Sequence, residues 1–244
     1  MGALTFREAA IDRFTHVWDR VSGTGHPSSG WLVLATAVVA VVAVVPGQVW
    51  RVSRNVVTIA HEAGHAMIAL VTGRRLTGIR LHSDTSGVTL SVGRPRGPGM
   101  VLTLMAGYLS PPALGLAGAA TLAAGHVTAL LWASVVLLAG MLVMIRNAYG
   151  VLSLLVTGAV ILGVSWKAPA EARVALAYLI TWFLLLAGAR PVLELQRMRR
   201  QGRAPHSDAD QLARLTGVPG LLWVGLFGLA ALAALVEGTR WLLW

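Results

Sequence analysis

The sequence predicts an all-α polytopic membrane protein with about seven transmembrane helices and one small cytoplasmic β-hairpin after the second span. Of the 244 residues, 56% are hydrophobic and 12% are charged, and the mean hydropathy is +0.69. Soluble domains contain about 45–50% apolar and about 25% charged residues, so this composition indicates a membrane protein. The apolar residues are also grouped into runs of the length that crosses a bilayer, about 20 residues.

Seven apolar runs predict the helices in chain order. The runs cover residues 31–50, 55–72, 99–124, 126–145, 148–166, 174–189 and 218–236. Pro111 and Pro112 interrupt the third run. Because proline lacks the N–H of a helical hydrogen bond and clashes with the preceding turn, we expect a kink or a break there. These runs define one membrane-embedded domain over residues 31–244.

Residues 1–30 form a separate cytoplasmic N-terminal segment in this prediction. Between residues 3 and 21, apolar side chains recur at helical spacing, and most of the charged ones lie elsewhere. This pattern favours a helix that lies on the cytoplasmic membrane surface, with a short soluble helix as the alternative. The segment does not resemble a signal peptide, because the first long apolar run starts only at Trp31 and no cleavage pattern precedes it.

The segment from Leu76 to Val92 alternates apolar and polar residues instead of running apolar. Its centre, residues 82–87, has the sequence His-Ser-Asp-Thr-Ser-Gly, which is typical of a turn. Alternation on both sides of a turn predicts a β-hairpin, here on the cytoplasmic side.

The net charge of +10 comes from 20 Lys and Arg residues against 10 Asp and Glu residues. In a soluble protein such an excess would suggest nucleic acid as the partner. Here it is better explained by topology, because cytoplasmic loops of membrane proteins are rich in Lys and Arg. With seven spans and a cytoplasmic N-terminus, fifteen of the 20 basic residues fall inside and five outside. We therefore expect a protein of the bacterial cytoplasmic membrane whose C-terminus is outside and whose partner is the lipid bilayer, with no nucleic acid.

One motif within the second run carries chemistry. His61-Glu62-Ala63-Gly64-His65 has two histidines four positions apart and a glutamate after the first, the pattern of zinc proteases. On a helix, residues i and i+4 lie one above the other, so both imidazoles can reach one ion. Glu62 would then act as general base on a water molecule. With no cysteine in the chain, any further ligand must be histidine or a carboxylate.

The depth of this motif strengthens the prediction. At ~1.5 Å per residue, His61 lies about 9 Å and His65 about 15 Å along the helix from Asn55, which is within the membrane. A carboxylate there costs about 2.5–3.5 kcal/mol unless it faces the protein interior or a wet cavity. A metal site would explain why three ionisable side chains, His61, Glu62 and His65, lie together within one span. The alternatives are a hydrogen-bonded cluster or proton path without metal, and a metal site without catalysis.

The third ligand should come from a distant segment, because catalytic zinc usually has three protein ligands. Most of the ten acidic residues lie in the N-terminal segment, in the predicted turn or towards the outer face, which leaves Asp208 and Asp210 before the seventh span. Asp208 is the preferred ligand, with Asp210 and His206 as alternatives. The segment from Ser207 is also good helix N-cap material, so capping without ligation stays open.

These residues resemble the site-2 protease family of intramembrane zinc metalloproteases. The likeness rests on the motif at residues 61–65 inside a hydrophobic span, the cytoplasmic hairpin and the spans that follow, and covers residues 56–224. It is closest to the compact bacterial branch, which carries a late Ser-Asp-Ala, matched here by Ser207-Asp208-Ala209. The resemblance implies Zn²⁺ bound by His61, His65 and Asp208, Glu62 as general base and acid, and a transmembrane protein as substrate. The Asn-x-x-Pro and Asp-Gly order of better-known members is absent.

One segment and one residue outside the motif are candidates for a role in peptide hydrolysis. The hairpin over residues 76–92 could hold an unwound substrate by adding it to a sheet edge, or serve only as structure. Asn147 could donate to an oxyanion, or be a turn residue. The competing function is a catalytically inactive homologue that binds a membrane partner or a metal. A metal carrier is disfavoured, because the other spans hold almost no acidic or histidine side chains to pass the ion on.

Overall fold

A computed structural model describes residues 29–244, and these residues form nine α-helices and one antiparallel β-hairpin. The helices are α1 (Gly30–Val44), α2 (Gly47–Val71), α3 (Pro98–Ala123), α4 (Val127–Met144), α5 (Ala148–Lys167), α6 (Ala170–Ala187), α7 (Arg190–Arg200), α8 (Asp208–Thr216) and α9 (Gly220–Leu243). The strands are β1 (Arg75–Leu81) and β2 (Gly87–Val92). The helix predicted over residues 3–21 lies outside the described residues. The predicted helical membrane fold with a small hairpin is confirmed.

Fewer helices can cross a membrane than the seven expected. Within residues 29–244, five helical segments are long and apolar enough: α3, α4, α5, the continuous α6–α7 segment and α9. A sixth is obtained only if α1 and α2, which meet at 102°, are counted as one span. With 15 residues, α1 rises about 22 Å, which is less than the about 30 Å of hydrocarbon. By length and hydropathy, the structure therefore gives five or six candidate spans.

The bend between α1 and α2 lies at Pro46, where the sequence suggested one run from 31 to 50. Proline lacks the N–H of a helical hydrogen bond and clashes with the preceding turn, and here α1 ends at Val44 and α2 begins at Gly47. The guanidinium of Arg190, at the start of α7, donates hydrogen bonds to the carbonyls of Val44 and Val45, the latter at 2.8 Å. A side chain of α7 thus binds the last carbonyls of α1.

The break expected at Pro111 and Pro112 is absent, because α3 is assigned as one helix from Pro98 to Ala123. Pro111 has no N–H to bond the carbonyl of Gly107, four residues earlier. The Ser110 hydroxyl lies 3.1 Å from that carbonyl oxygen and donates to the carbonyl of Ala60 on α2 at 2.6 Å. Serine side chains commonly satisfy backbone groups freed by proline in membrane helices. The same serine therefore ties α3 to α2.

The hairpin packs with one face on the membrane helices. Ile79 and Leu81 of β1 are 0% exposed and share an apolar cluster with Ile59 of α2 and Ile145 after α4. On the outer face of β2, the side chains of Val88, Leu90 and Val92 are exposed. This arrangement leaves Gly87 and Thr89 of β2 facing α2, beside Glu62.

Candidate metal centre

Two histidines and one aspartate converge between α2 and the start of α8. The Nε2 atoms of His61 and His65 are 3.1 Å apart. The Oδ2 atom of Asp208 lies 3.2 Å from Nε2 of His61 and 3.4 Å from Nε2 of His65. Within residues 29–244, these three residues form the one group of at least three His, Asp or Glu side chains that could hold a metal ion.

Helix geometry and one backbone contact orient the histidines. His61 and His65 are four residues apart on α2, so their side chains project from the same face. Nδ1 of His65 is 2.7 Å from the carbonyl oxygen of Thr103 on α3. Since a carbonyl only accepts, Nδ1 must carry a hydrogen, and Nε2 is the ring nitrogen that faces His61 and Asp208.

The first turn of α8 places Asp208 against the histidines. Ser207 is the N-cap of α8, and its hydroxyl oxygen accepts from the backbone N–H of Asp210 at 3.3 Å. Ala209 and Leu212 are fully buried, in an apolar cluster that includes Phe227 of α9. Capping and packing thus hold the N-terminus of α8, and Asp208 is its first residue.

The two other candidate ligands lie elsewhere. Asp210 accepts hydrogen bonds from the Arg199 guanidinium at 2.8 and 3.0 Å and from the Ser207 hydroxyl at 2.6 Å. His206 is exposed at the surface. Capping and approach to the histidines therefore coexist in neighbouring residues, with Ser207 and Asp210 completing the cap and Asp208 beside the imidazoles.

The electrostatic environment keeps Asp208 ionised. Burial by itself raises the pKa of the Asp208 carboxyl, but attraction and hydrogen bonding by the His65 and His61 imidazoles outweigh burial and hold the pKa well below its usual range. An ionised carboxylate beside two imidazole nitrogens is a typical donor set for zinc.

The spacing of the three donor atoms fits a small tetrahedral ion. Zinc bonds to nitrogen and oxygen are about 2.0–2.2 Å long, so two ligand atoms of a tetrahedral site are about 3.4 Å apart. The separations of 3.1, 3.2 and 3.4 Å are close to this value. The absence of a side chain at Gly107 on α3 leaves space for the two imidazoles, because a Cβ at this position would overlap the rings of His65 and His61.

Glu62 occupies a buried position next to the hairpin. Its side chain is on α2, the residue is 3% exposed, and Oε2 accepts a hydrogen bond from the Thr89 hydroxyl at 2.6 Å. A Cβ on Gly87 would lie 2.6 Å from both Cγ and Oε1 of Glu62. Two inward-facing residues of β2 therefore determine where this carboxylate lies.

A small polar cleft opens beside His61 and Glu62. It has a volume of about 120 Å³ and is bounded by α2, the hairpin tip, Tyr108 of α3 and Pro191. The Thr58 hydroxyl donates to the carbonyl of Thr85 at 2.7 Å, which fastens the tip to α2. Thr85 has φ of +63°, an unusual conformation for a residue other than glycine. The cleft is the space in which a reactant could meet Glu62.

Asn147, the possible oxyanion donor, is not at this cleft. Its Nδ2 donates to the carbonyl of Leu81 at 2.6 Å, and its Oδ1 accepts from the Leu81 N–H at 3.2 Å. Both polar atoms of the side chain thus bind the end of β1. This contact makes Asn147 a structural residue, as the turn interpretation expected.

Sequence reasoning missed Thr89, Tyr108 and the carbonyl of Thr103. Thr89 lies on the inward face of a predicted strand, and this pattern could have suggested a contact with the helix below. Tyr108 is an ordinary aromatic residue of a span, and the Thr103 contact uses a backbone atom that every residue has. No sequence signal marks Tyr108 or the Thr103 carbonyl as part of the site.

Comparison with known proteins identifies the family. The family model described as Peptidase M50B-like matches residues 34–238, which include α2, the hairpin and α8. No curated protein and no solved structure matches the chain significantly. The matched range covers more than half of the 244 residues and contains His61, His65 and Asp208. The chain is therefore a member of the Peptidase M50B-like group of the site-2 protease family.

Proposed function

We propose that the protein is an intramembrane zinc metalloendopeptidase that hydrolyses a peptide bond of a transmembrane protein substrate. The observation that carries the proposal is the convergence of His61, His65 and Asp208 at 3.1–3.4 Å, next to the buried carboxylate of Glu62. Membership of a peptidase family supports the hydrolytic reaction. In this proposal His61, His65 and Asp208 hold Zn²⁺, and Glu62 is the catalytic residue.

Each residue has a defined part in the reaction. Zinc, when bound, supplies Lewis acidity that polarises a carbonyl and lowers the pKa of water towards 7. Glu62 takes the proton from the attacking water and returns it to the leaving amine, as a general base and then a general acid. The Thr89 hydroxyl, 2.6 Å from Oε2, holds the carboxylate in position during both transfers.

The hairpin supports a role in holding the substrate. A helical substrate hides its peptide bonds in hydrogen bonds, so it must be extended before attack. Among residues 29–244, β1 pairs with β2 on one edge and is bridged by Ile145 on the other, whereas the outer edge of β2 has no strand partner. An extended segment can add to such an edge. Because Thr89 of β2 binds Glu62, this edge belongs to the strand nearest the carboxylate.

The cellular setting follows from the apolar helices. They make the chain a membrane protein, and the basic loops support the bacterial cytoplasmic membrane with the hairpin in the cytoplasm and the C-terminus outside. A cytoplasmic N-terminus together with an outside C-terminus requires an odd number of crossings. It therefore requires the bent α1–α2 pair to cross either not at all, which gives five crossings, or twice, which gives seven.

Mapping of new protein N-termini in membranes tests the proposal. We expect cells that express the wild type to show new termini within membrane spans, and cells that express Glu62→Gln to lack them while the purified variant retains zinc. Glu171→Gln, at the exposed start of α6, is the control and should cleave like the wild type. If the wild type holds zinc but yields no Glu62-dependent termini, the chain is the catalytically inactive metal-binding homologue and the proposal fails.

A further inference from the structure

The cleft beside Glu62 contains several hydroxyl groups, and all but one are engaged. Thr58 donates to the carbonyl of Thr85 at 2.7 Å, Thr85 to that of Asp84 at 2.6 Å, and Ser86 to the Asp84 carboxylate at 2.6 Å. Tyr108 also lines the cleft, and its phenol forms no hydrogen bond with any residue in the described range 29–244. A partly buried hydroxyl without a partner at a reaction site is available to a reactant.

The ring of Tyr108 is held firmly in place. It lies edge-on to the His61 imidazole, with centroids 4.8 Å apart and an angle of 90°. On its other side it stacks on Phe227 of α9, with centroids 5.1 Å apart and an angle of 16°. A ring fixed between a proposed zinc ligand and the core presents its hydroxyl with little conformational freedom.

We propose that Tyr108 is a catalytic residue whose phenol donates a hydrogen bond to the oxyanion that develops on the scissile carbonyl oxygen. The inference rests on the proposed peptidase function. Attack by water turns the planar carbonyl into a tetrahedral centre with negative charge on its oxygen, and a neutral donor already in place stabilises that charge. No proton leaves the phenol, so Tyr108 supplies only the hydrogen bond, and Glu62 carries the transferred proton.

Arg54 is the rival donor in the same cleft. Its Nε lies 3.7 Å from Oε2 of Glu194, and Oε1 of Glu194 accepts from the Trp50 indole at 2.8 Å and lies 3.3 Å from Nε of Arg190. This cluster draws the Arg54 guanidinium towards α7. Tyr108 has no such partner among the described residues, which favours it as the donor.

The test uses Tyr108→Phe, which keeps the ring contacts and removes only the hydroxyl. The probe is a short phosphinic peptide, whose tetrahedral oxygens resemble the charged intermediate, titrated into the cobalt-substituted full chain in detergent. Binding is followed by the visible spectrum of the metal. We expect Tyr108→Phe to bind the probe about 100-fold more weakly, and to lower kcat by about 10²–10³ at unchanged KM and unchanged zinc content. Tyr149→Phe is the matched control and should equal the wild type in both measurements.

The outcomes separate this inference from the proposed function. If Tyr108→Phe binds the probe and cleaves like the wild type, the inference is wrong and the peptidase proposal stands. If Arg54→Gln loses probe affinity and Tyr108→Phe does not, Arg54 is the donor and the inference is likewise overturned. If the wild type neither binds the probe nor cleaves Glu62-dependently, the peptidase proposal itself fails.

Discussion

Gly107 shows how a residue without a side chain can determine the metal centre. A Cβ at this position would lie 2.4–2.6 Å from ring atoms of His65 and His61, so at least one of the rings would have to move. We therefore expect Gly107→Ala to lower the zinc content of the purified protein well below one ion per chain. Gly140→Ala, where a Cβ would meet nothing within 4 Å, is the control. Elemental analysis of both variants measures the effect, and a full complement of zinc in Gly107→Ala would contradict it.

The substitution of Gly87 tests whether the position of the Glu62 carboxylate matters for turnover. A Cβ there would lie 2.6 Å from Oε1 of the carboxylate and force it to move, and its three nearest atoms would all belong to Glu62. We expect Gly87→Ala to keep its zinc but to lose about 100-fold in turnover, the size of effect that a displacement of about 1 Å can produce. Gly225→Ala, which also has open space around its Cβ position, should behave like the wild type in both assays.

At the residue scale, the histidine pair and the preference for Asp208 were accessible from sequence. Helical spacing brings His61 and His65 together, and the scarcity of acidic residues leaves few candidates for the third position. Sequence alone favoured Asp208 but could not exclude Asp210, because both are in the first turn of α8. The choice depends on Arg199, which binds Asp210 from another helix. Such a long-range contact has no local pattern.

At the element scale, we expect the attachment of α8 to α7 to depend on pH. Hydrogen bonds from Arg199 hold the pKa of the Asp210 carboxyl below its usual value, with burial opposing them. A lowered pKa in the folded state means that the contribution to stability is full above the unfolded-state pKa, about 3.9, and is lost as the pH falls below it.

We therefore expect wild-type protein treated with a chelator to melt at a higher temperature than Asp210→Asn at pH 7, by at most about 4 °C because the pair is partly exposed. The difference should shrink between about pH 5 and pH 3. Thermal unfolding in detergent across this range measures it. A difference that grows on acidification would have the wrong sign.

Elements were predicted well where local chemistry decides them and less well where neighbouring helices do. The hairpin follows from alternation around a turn, and β1 and β2 lie where the pattern placed them. The two errors both concern prolines. Pro46 divided a run that hydropathy joined, whereas the pair at Pro111 and Pro112 left α3 unbroken. Whether a proline breaks a helix depends on partners such as Ser110, which the sequence does not identify.

At the scale of the whole molecule, the absence of cysteine makes membrane topology easy to measure. We expect Ser83→Cys, in the hairpin turn, to react with a membrane-impermeant maleimide only after permeabilisation. Lys167→Cys, at the end of α5, should react in intact cells. Both positions are exposed. The reverse pattern would show that the hairpin is outside.

Ser29→Cys, ahead of α1, reports whether the bent pair crosses the membrane once, or instead twice or not at all. If α1 and α2 cross separately, as the seven-span expectation requires, the residue reacts only after permeabilisation. The structure places the bend beside α7, since Arg190 binds the carbonyl of Val45 and Arg54 lies near Glu194. In the seven-span layout Arg54 lies between the first two runs and is one of the five basic residues outside, whereas the basic residues of α7 are inside. The charge count therefore did not predict that Arg54 lies near Glu194 of α7.

The zinc content of purified Asp208→Ala and Asp210→Ala, compared with the wild type, tests the central claim most directly. The claim is that His61, His65 and Asp208 form one metal site and that Asp210 belongs to the cap of α8. We predict about one zinc per chain in the wild type and in Asp210→Ala, and loss of the ion in Asp208→Ala. A wild type without stoichiometric zinc, or an Asp208→Ala variant that keeps its full complement, would contradict the account.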